Sequence, residues 1–228
     1  MKRNVRKPRT SVPVRRLLRT LTELYPGAFT SLNYTGPFQL LVATILSAQC
    51  TDTRVNKITP ALFAKFPTPQ SFAEADRKDI EKYVASTGFF RSKAKNIQLA
   101  CQTIVSKFNG EVPGTLAELV QLAGVGRKTA NVVLGDGFDT PGITVDTHVG
   151  RLSRRMGLAK ETNPVKVERE LMAIIPRKHW TTFSHRLILH GRAVCKSRKP
   201  RCEECAFLKV CPQIGVGEPV DEGTEETS

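Results

Sequence analysis

The chain has 228 residues, 40% of them hydrophobic and 25% charged, and its 35 Lys and Arg against 21 Asp and Glu leave a net charge of +14. This length supports one or two domains with a real core, the composition is that of a soluble globular protein, and no apolar run is long enough to cross a bilayer. So basic a chain points to a polyanionic partner, with nucleic acid first among the candidates.

The N-terminal stretch from Met1 to Arg19 is rich in Lys and Arg and lacks the apolar core of a secretory signal. It reads as a disordered DNA-binding arm over residues 1–12 more simply than as an organellar presequence. Phe38 to Cys50 is nearly all apolar, which predicts a fully buried helix. Asp52 can cap the next helix, and Pro60 within it should kink or split it. Thr68-Pro69 is a further helix start. From Asn96 to Phe108, Ile97, Cys101, Ile104, Val105 and Phe108 recur at helical spacing, and Gly110 follows as a stop. Thr115 with Glu118 is a capping box before a short helix. Asn163-Pro164 opens another helix that Pro176 closes. Strand-like runs such as Ile143 to Val145 are too short for a sheet, and no repeat of solenoid length is present. The expected class is all-α. An acidic tail, with Glu218, Asp221, Glu222, Glu225 and Glu226, is expected to be disordered over 214–228.

Two constellations carry chemistry. In the first, Leu122 to Ala130 reads LAGVGRKTA. Gly124, Val125 and Gly126 make a tight turn into a new helix whose free amides attract anions, with Arg127 and Lys128 alongside. A phosphate is the natural guest. Lys128 has a second reading. If partly buried beside Arg127, its ammonium form is disfavoured, and a neutral amine can form a Schiff base with a sugar carbonyl. From the residues alone, a phosphate contact and a nucleophile both stand. Asp146, in Val145-Asp146-Thr147-His148, is open in the same way. It can cap a helix or stabilise the oxocarbenium-like state through which a glycosidic bond breaks.

The second constellation is Cys195-x6-Cys202-x2-Cys205-x5-Cys211. Four thiols so close together, in a reducing compartment, point to a metal. The spacing leaves tetrahedral zinc and iron–sulfur both open, since it matches neither paired zinc knuckles nor the common ferredoxin patterns. The basic loop inside it, with Lys196, Arg198 and Lys199, is a candidate phosphate clamp. Cys50 and Cys101 sit alone in apolar stretches and read as core residues.

Together, LSAQCTDTRVNK, LAGVGRKTANVVL, VDTHVGRLSRRMG, LILHGRAVC and the cysteine loop resemble the endonuclease III family of DNA glycosylases, from about Arg15 to Cys211. The resemblance implies two all-α domains with a DNA-binding cleft between them. One is a six-helix barrel-like domain at 30–141, with a helix-hairpin-helix at 118–134. The other, at 13–29 plus 142–213, holds a [4Fe–4S] cluster on Cys195, Cys202, Cys205 and Cys211. It implies a bifunctional glycosylase and AP lyase that removes oxidised pyrimidines from duplex DNA, with Lys128 as the Schiff-base lysine and Asp146 as the catalytic aspartate. Gln49 matches the residue that plugs the vacated stack; Phe89, with Phe90 as its neighbour, matches the wedge on the opposite strand. Asp52 and His148 match positions near the cleft. The partner implied is duplex DNA with damaged bases or abasic sites, bound by a monomer in a bacterial cytoplasm, at the nucleoid, with no membrane involved. Departures from the family pattern are Ala123 where proline is usual, Cys50 where alanine is common, and Phe at the wedge; the last two bear on lesion preference. Rival readings are the sister glycosylases that remove mispaired adenine, which lack the hairpin lysine, and a non-enzymatic DNA-binding module.

Overall fold

A computed structural model describes residues 10–217. Residues 1–9 and 218–228, which carry most of the expected arm and tail, lie outside them. Among the described residues there are eleven α-helices and no strand, as the all-α expectation requires. In chain order they are α1 (Val14–Leu24), α2 (Pro37–Leu46), α3 (Asp52–Lys65), α4 (Pro69–Glu74), α5 (Arg77–Val84), α6 (Phe90–Lys107), α7 (Leu116–Leu119), α8 (Arg127–Val132), α9 (Thr147–Arg155), α10 (Pro164–Ile174) and α11 (Trp180–Ala193). No described helix is long and apolar enough to cross a membrane.

The chain divides into two compact units. The larger comprises Gly27–Thr144 and Pro176–His185; the smaller comprises the chain up to Pro26, Val145–Ile175 and Arg186 onward. The division falls within α11. Segment 176–185 belongs to the larger unit through side chains that chain order does not announce. Ser184 Oγ accepts from the Thr144 amide at 3.0 Å, and His185 Nε2 lies 3.0 Å from each Asp136 carboxylate oxygen.

In the larger unit, α2 buries Leu40, Leu41, Val42, Ala43, Ile45 and Leu46, so nearly its whole circumference faces core. It stops at Leu46, short of the expected Cys50. The Ser47 amide and hydroxyl close the end on Ala43 O and Thr44 O, at 2.9 and 2.8 Å, and Gln49 turns the chain with φ of 51°. The cap of α3 is Thr51 rather than Asp52: its side chain accepts from the Arg54 amide. Asp52 sits in the first turn and accepts from the Ser31 hydroxyl. Pro60 does not split α3, which runs unbroken through it. An interior proline costs about 3 kcal/mol. Beyond it, α3 buries Leu62 and Phe63, each worth about 1.5–3 kcal/mol, and that outweighs the loss. Helix α6 begins at Phe90, ahead of the expected Asn96, because its buried face extends back through Ala94 and Lys93. Caps at Thr68, Thr115 and Asn163 start α4, α7 and α10 as the sequence predicts.

The smaller unit packs Leu17 and Leu21 of α1, Val149 and Leu152 of α9, Val167 and Leu171 of α10, and Phe207 and Val210 near the C-terminus, all buried. Val12, at the edge of the expected arm, is buried too, and its amide donates to Met156 O at 2.9 Å.

Candidate functional site

In the larger unit, α7 leads through a hydrogen-bonded turn, Val125 amide to Leu122 O at 3.1 Å, into α8. Gly124 has φ of +75°, and a Cβ there would lie 2.8 Å from Asn96 Cβ, so the turn needs glycine for both its conformation and its approach to α6. Gly126 begins α8 with no side-chain cap, which leaves the first amides of the helix to another acceptor. Lys128 stands in that first turn and is exposed. The partial burial considered for it in the sequence is therefore not found. Buried Asn131, whose Nδ2 donates to Ile143 O at 3.1 Å, anchors α8 from behind.

Two non-glycine residues in left-handed backbone flank an open pocket of about 230 Å³ in the same unit. One is Gln49, exposed. The other is Phe89, with φ of 46° and 69% exposed. Ser92, Lys93 and Asn96 of α6 line the pocket together with Gly124. Gln49, Phe89 and the hairpin, distant in sequence, thus share one concave surface. Phe90 differs from its neighbour: it packs against the core, with the Arg91 guanidinium 5.5 Å from its ring centre. A large exposed aromatic ring in a strained backbone has no packing reason to be there, which makes Phe89, rather than Phe90, the candidate contact residue.

In the smaller unit, Asp146 is half-buried and caps α9, its Oδ1 accepting from the Val149 amide at 2.8 Å. The capping role is real, and it occupies one carboxylate oxygen. Next to it, His148 Nδ1 lies 3.2 Å from Arg151 Nη2. A Cβ at Gly191 would lie 2.8 Å from that same Nδ1, so the glycine of the LILHGR run gives α9 and α11 their close contact. Lys128 and Asp146 belong to different units.

The four cysteines of the loop all line one small cavity of about 20 Å³, with Arg155, Met156 and Leu208 among its other walls. Two arginines of α9 hold the loop. Arg151 Nη2 donates to Cys195 O at 2.9 Å; Arg155 donates to Lys196 O at 2.7 Å, to Ser197 O at 2.9 Å and to Cys195 Sγ at 3.5 Å. The side chains of Lys196, Arg198 and Lys199 are exposed on this loop. Behind it, fully buried His190 lies between Tyr25 Oη, 3.1 Å from Nδ1, and Cys205 Sγ, 3.4 Å from Nε2. Burial pushes His190 down to about 4, so it is neutral at physiological pH. Through its two ring nitrogens it thus links the tyrosine hydroxyl to the Cys205 sulfur. Burial raises the Cys202, Cys205 and Cys211 thiols, and neighbouring cysteines raise them further. Such a set gives up its protons when a metal centre accepts the thiolate charge. Among the described residues no three His, Cys, Asp or Glu are grouped so as to hold a metal ion. Cys101 is a buried core thiol held at about 12 by burial.

Sequence reasoning missed Lys93, Tyr25, His190, Arg151 and Arg155. His190 and the two arginines lie inside quoted motifs, so the signal was present. Lys93 reads as an ordinary helix lysine.

The comparisons agree with one another. A family model described as HhH-GPD superfamily base excision DNA repair protein matches residues 42–177. Endonuclease III of a Synechocystis species is 58% identical over 197 residues, covering 86% of this chain and 90% of the relative. Endonuclease III of Bacillus subtilis is 44% identical, covering 83% and 87%, and that of Escherichia coli K12 is 43% identical, covering 86% and 92%. Among solved structures, a trapped endonuclease III–DNA covalent intermediate in an estranged-adenine complex matches with a TM-score of 0.82 and 44% identity, over 87% of this chain and 93% of that one. A thermostable thymine-DNA glycosylase, at 21% identity and a TM-score of 0.79 over 86% and 94%, shares the fold.

Proposed function

The chain belongs to the endonuclease III family within the HhH-GPD superfamily and is a base excision repair DNA glycosylase and AP lyase; on that premise we propose that it acts on oxidised pyrimidines in duplex DNA through a Schiff base on Lys128. The observation that carries this reading is an exposed lysine in the first turn of the helix that follows the glycine hairpin.

The target nucleotide leaves the stack, because its sugar C1′ is out of reach inside a duplex. Gln49 fills the gap and Phe89 presses on the opposite strand, two exposed side chains on one concave surface. The Lys128 amine, in its neutral form, attacks C1′; the N-glycosidic bond breaks, the damaged base departs with its electron pair and takes up a proton, and the attacking nitrogen gives one up. Positive charge on the sugar is stabilised by the Asp146 carboxylate. Its capping bond supports this role, since it fixes the carboxylate while occupying one oxygen. Cleavage of C1′–O4′, with a proton to O4′, then leaves a protonated imine; this acidifies the C2′ proton, and loss of that proton expels the 3′ phosphate. The relative trapped as a covalent DNA intermediate supports the covalent step. Amides at the start of α8, with Arg127, take a backbone phosphate, while Asp52 and His148 lie beside the reacting strand.

Cys195, Cys202, Cys205 and Cys211 hold a [4Fe–4S] cluster in this reading. Their chemistry fits such a group: four thiols line one cavity, and three of them, raised by burial and by neighbouring cysteines, would give up their protons to a metal centre. Bound there, the cluster would supply iron–thiolate bonds that staple the C-terminal loop, and Lys196, Arg198 and Lys199 on that loop take a DNA phosphate. The partner is duplex DNA with damaged bases or abasic sites, engaged by a monomer in the bacterial cytoplasm.

Borohydride added during reaction with a duplex carrying an oxidised pyrimidine should trap a covalent protein–DNA complex. No adduct, or an undiminished adduct in Lys128→Ala, sinks the Schiff-base mechanism. Iron and sulfide analysis of protein purified without oxygen should find about four of each per chain; stoichiometric zinc instead overturns the cluster.

A further inference from the structure

One buried cation takes no part in the chemistry above. Lys93, on the first turn of α6, is 5% exposed, and its Nζ donates to Leu46 O at 2.8 Å and to Thr87 O at 2.7 Å. The two carbonyls root two different loops. Leu46 is the last residue of α2, just before the loop that carries Gln49. Thr87 ends a short 3-10 turn, just before Gly88 and Phe89. The main-chain amide of Lys93 also donates to Phe89 O, at 3.0 Å.

Two physical arguments separate this arrangement from a routine buried lysine. First, an ammonium group out of water is expensive, and it is kept where charge-assisted bonds compensate. Burial lowers the pKa of Lys93 below the usual lysine value, with Cys50 opposing. Both acceptors close helical turns, whose last carbonyls lack partners and attract a cation. Second, Gln49 and Phe89 have φ of 51° and 46°. Side chains other than glycine stay in that region only when their surroundings over-determine them. Lys93 supplies a shared constraint immediately upstream of each.

We propose that Lys93 is a positioning residue that sets the spacing between Gln49 and Phe89, so that plug and wedge enter the DNA as one preformed element. This rests on the plug-and-wedge reading of those two residues. The lysine touches neither substrate nor reacting atoms and acts through the two loops. Its loss therefore slows extrusion of the damaged nucleotide, and its effect vanishes once either loop's tip is gone.

The test uses the cluster-loaded enzyme and its variants Lys93→Met, Gln49→Ala, Phe89→Ala and both double variants with Lys93→Met. Single-turnover excision is measured alongside the fluorescence of a 2-aminopurine placed opposite the lesion, which rises as the pair unstacks. Lys93→Met should slow both signals about tenfold or more. Each double variant should be no slower than the slower of its two parents. Hydrogen exchange in Lys93→Met should quicken at residues 48–50 and 88–90 and stay unchanged elsewhere. Wild-type rates in Lys93→Met, or strictly multiplicative losses in the doubles, overturn the proposal while leaving plug and wedge intact. Wild-type rates in Gln49→Ala and Phe89→Ala overturn the plug-and-wedge reading, and the proposal with it. If Lys93→Met does not fold, Lys93→Gln, which keeps a donor, takes its place; failure of both to fold assigns Lys93 a plain structural role and refutes the proposal.

Discussion

The pocket face of the larger unit and the cysteine loop of the smaller one meet the same requirement by opposite means. Each must hold irregular backbone in a fixed shape. On the pocket face the holding group is internal and single: Lys93 ties two strained loops to one buried ammonium. On the cysteine loop it is distributed. Arg151 and Arg155 bind the loop carbonyls, and four thiols line one cavity. The first device needs only the 20 amino acids but consumes a buried charge. On the proposed cluster reading, the second tolerates a longer loop, because metal bonds would replace the missing core, and that part of the fold would depend on cofactor supply. On the proposed reading, a surface that enters DNA benefits from a rigid internal tie, and a loop that grips phosphate does not.

If the comparison holds, chemistry and stability should be lost in different regions. The largest effect expected is from Lys128→Ala, which should abolish the borohydride adduct and lower base release by on the order of 10³ or more, with the melting temperature unchanged because the side chain is exposed. A large drop in melting temperature would instead make Lys128 part of the fold. Next is Cys205→Ser, or removal of iron by a chelator. Either should destabilise the smaller unit by roughly 3 kcal/mol or more, with hydrogen-exchange protection lost there and retained in the larger unit. Uniform loss across both units would break the division of roles. Phe89→Ala should slow excision about 10–100-fold at near-constant stability, since the ring is 69% exposed. Gly124→Ala should cost about 1–3 kcal/mol by denaturant titration, as both its φ and Asn96 oppose a Cβ. Smallest is alanine replacement of Lys196 and Lys199, expected to reduce the salt slope of DNA binding by about one per phosphate contact and to leave single-turnover excision at saturation intact.

The two regions were also unequally legible. The cysteine loop announces itself because its ligands fall between residues 195 and 211, and clustering of one reactive side chain is a local pattern. The hairpin is local as well: glycines, a cap and a lysine within LAGVGRKTA. The pocket face is assembled from the end of α2, the start of α6 and Gly124, and its key bond spans 47 residues from Lys93 to Leu46. Apolar periodicity carried α2 on to Cys50. What stopped it at Leu46 was the Ser47 turn and the tie to α6. Likewise His190 sits in a quoted motif, yet its contact with Tyr25 crosses 165 residues.

By itself, then, the amino-acid sequence determined the helical class, most helix starts, the hairpin lysine, the four-thiol set and, through its motifs, the family. Each rests on hydrogen-bonding and side-chain patterns that close within a turn or a loop. Only the tertiary structure decided which lysine is buried, that Phe89 projects while Phe90 packs, that Lys128 is exposed, and that residues 176–185 join the larger unit. Burial and backbone strain are set by neighbours gathered from across the chain, and no local pattern contains that sum.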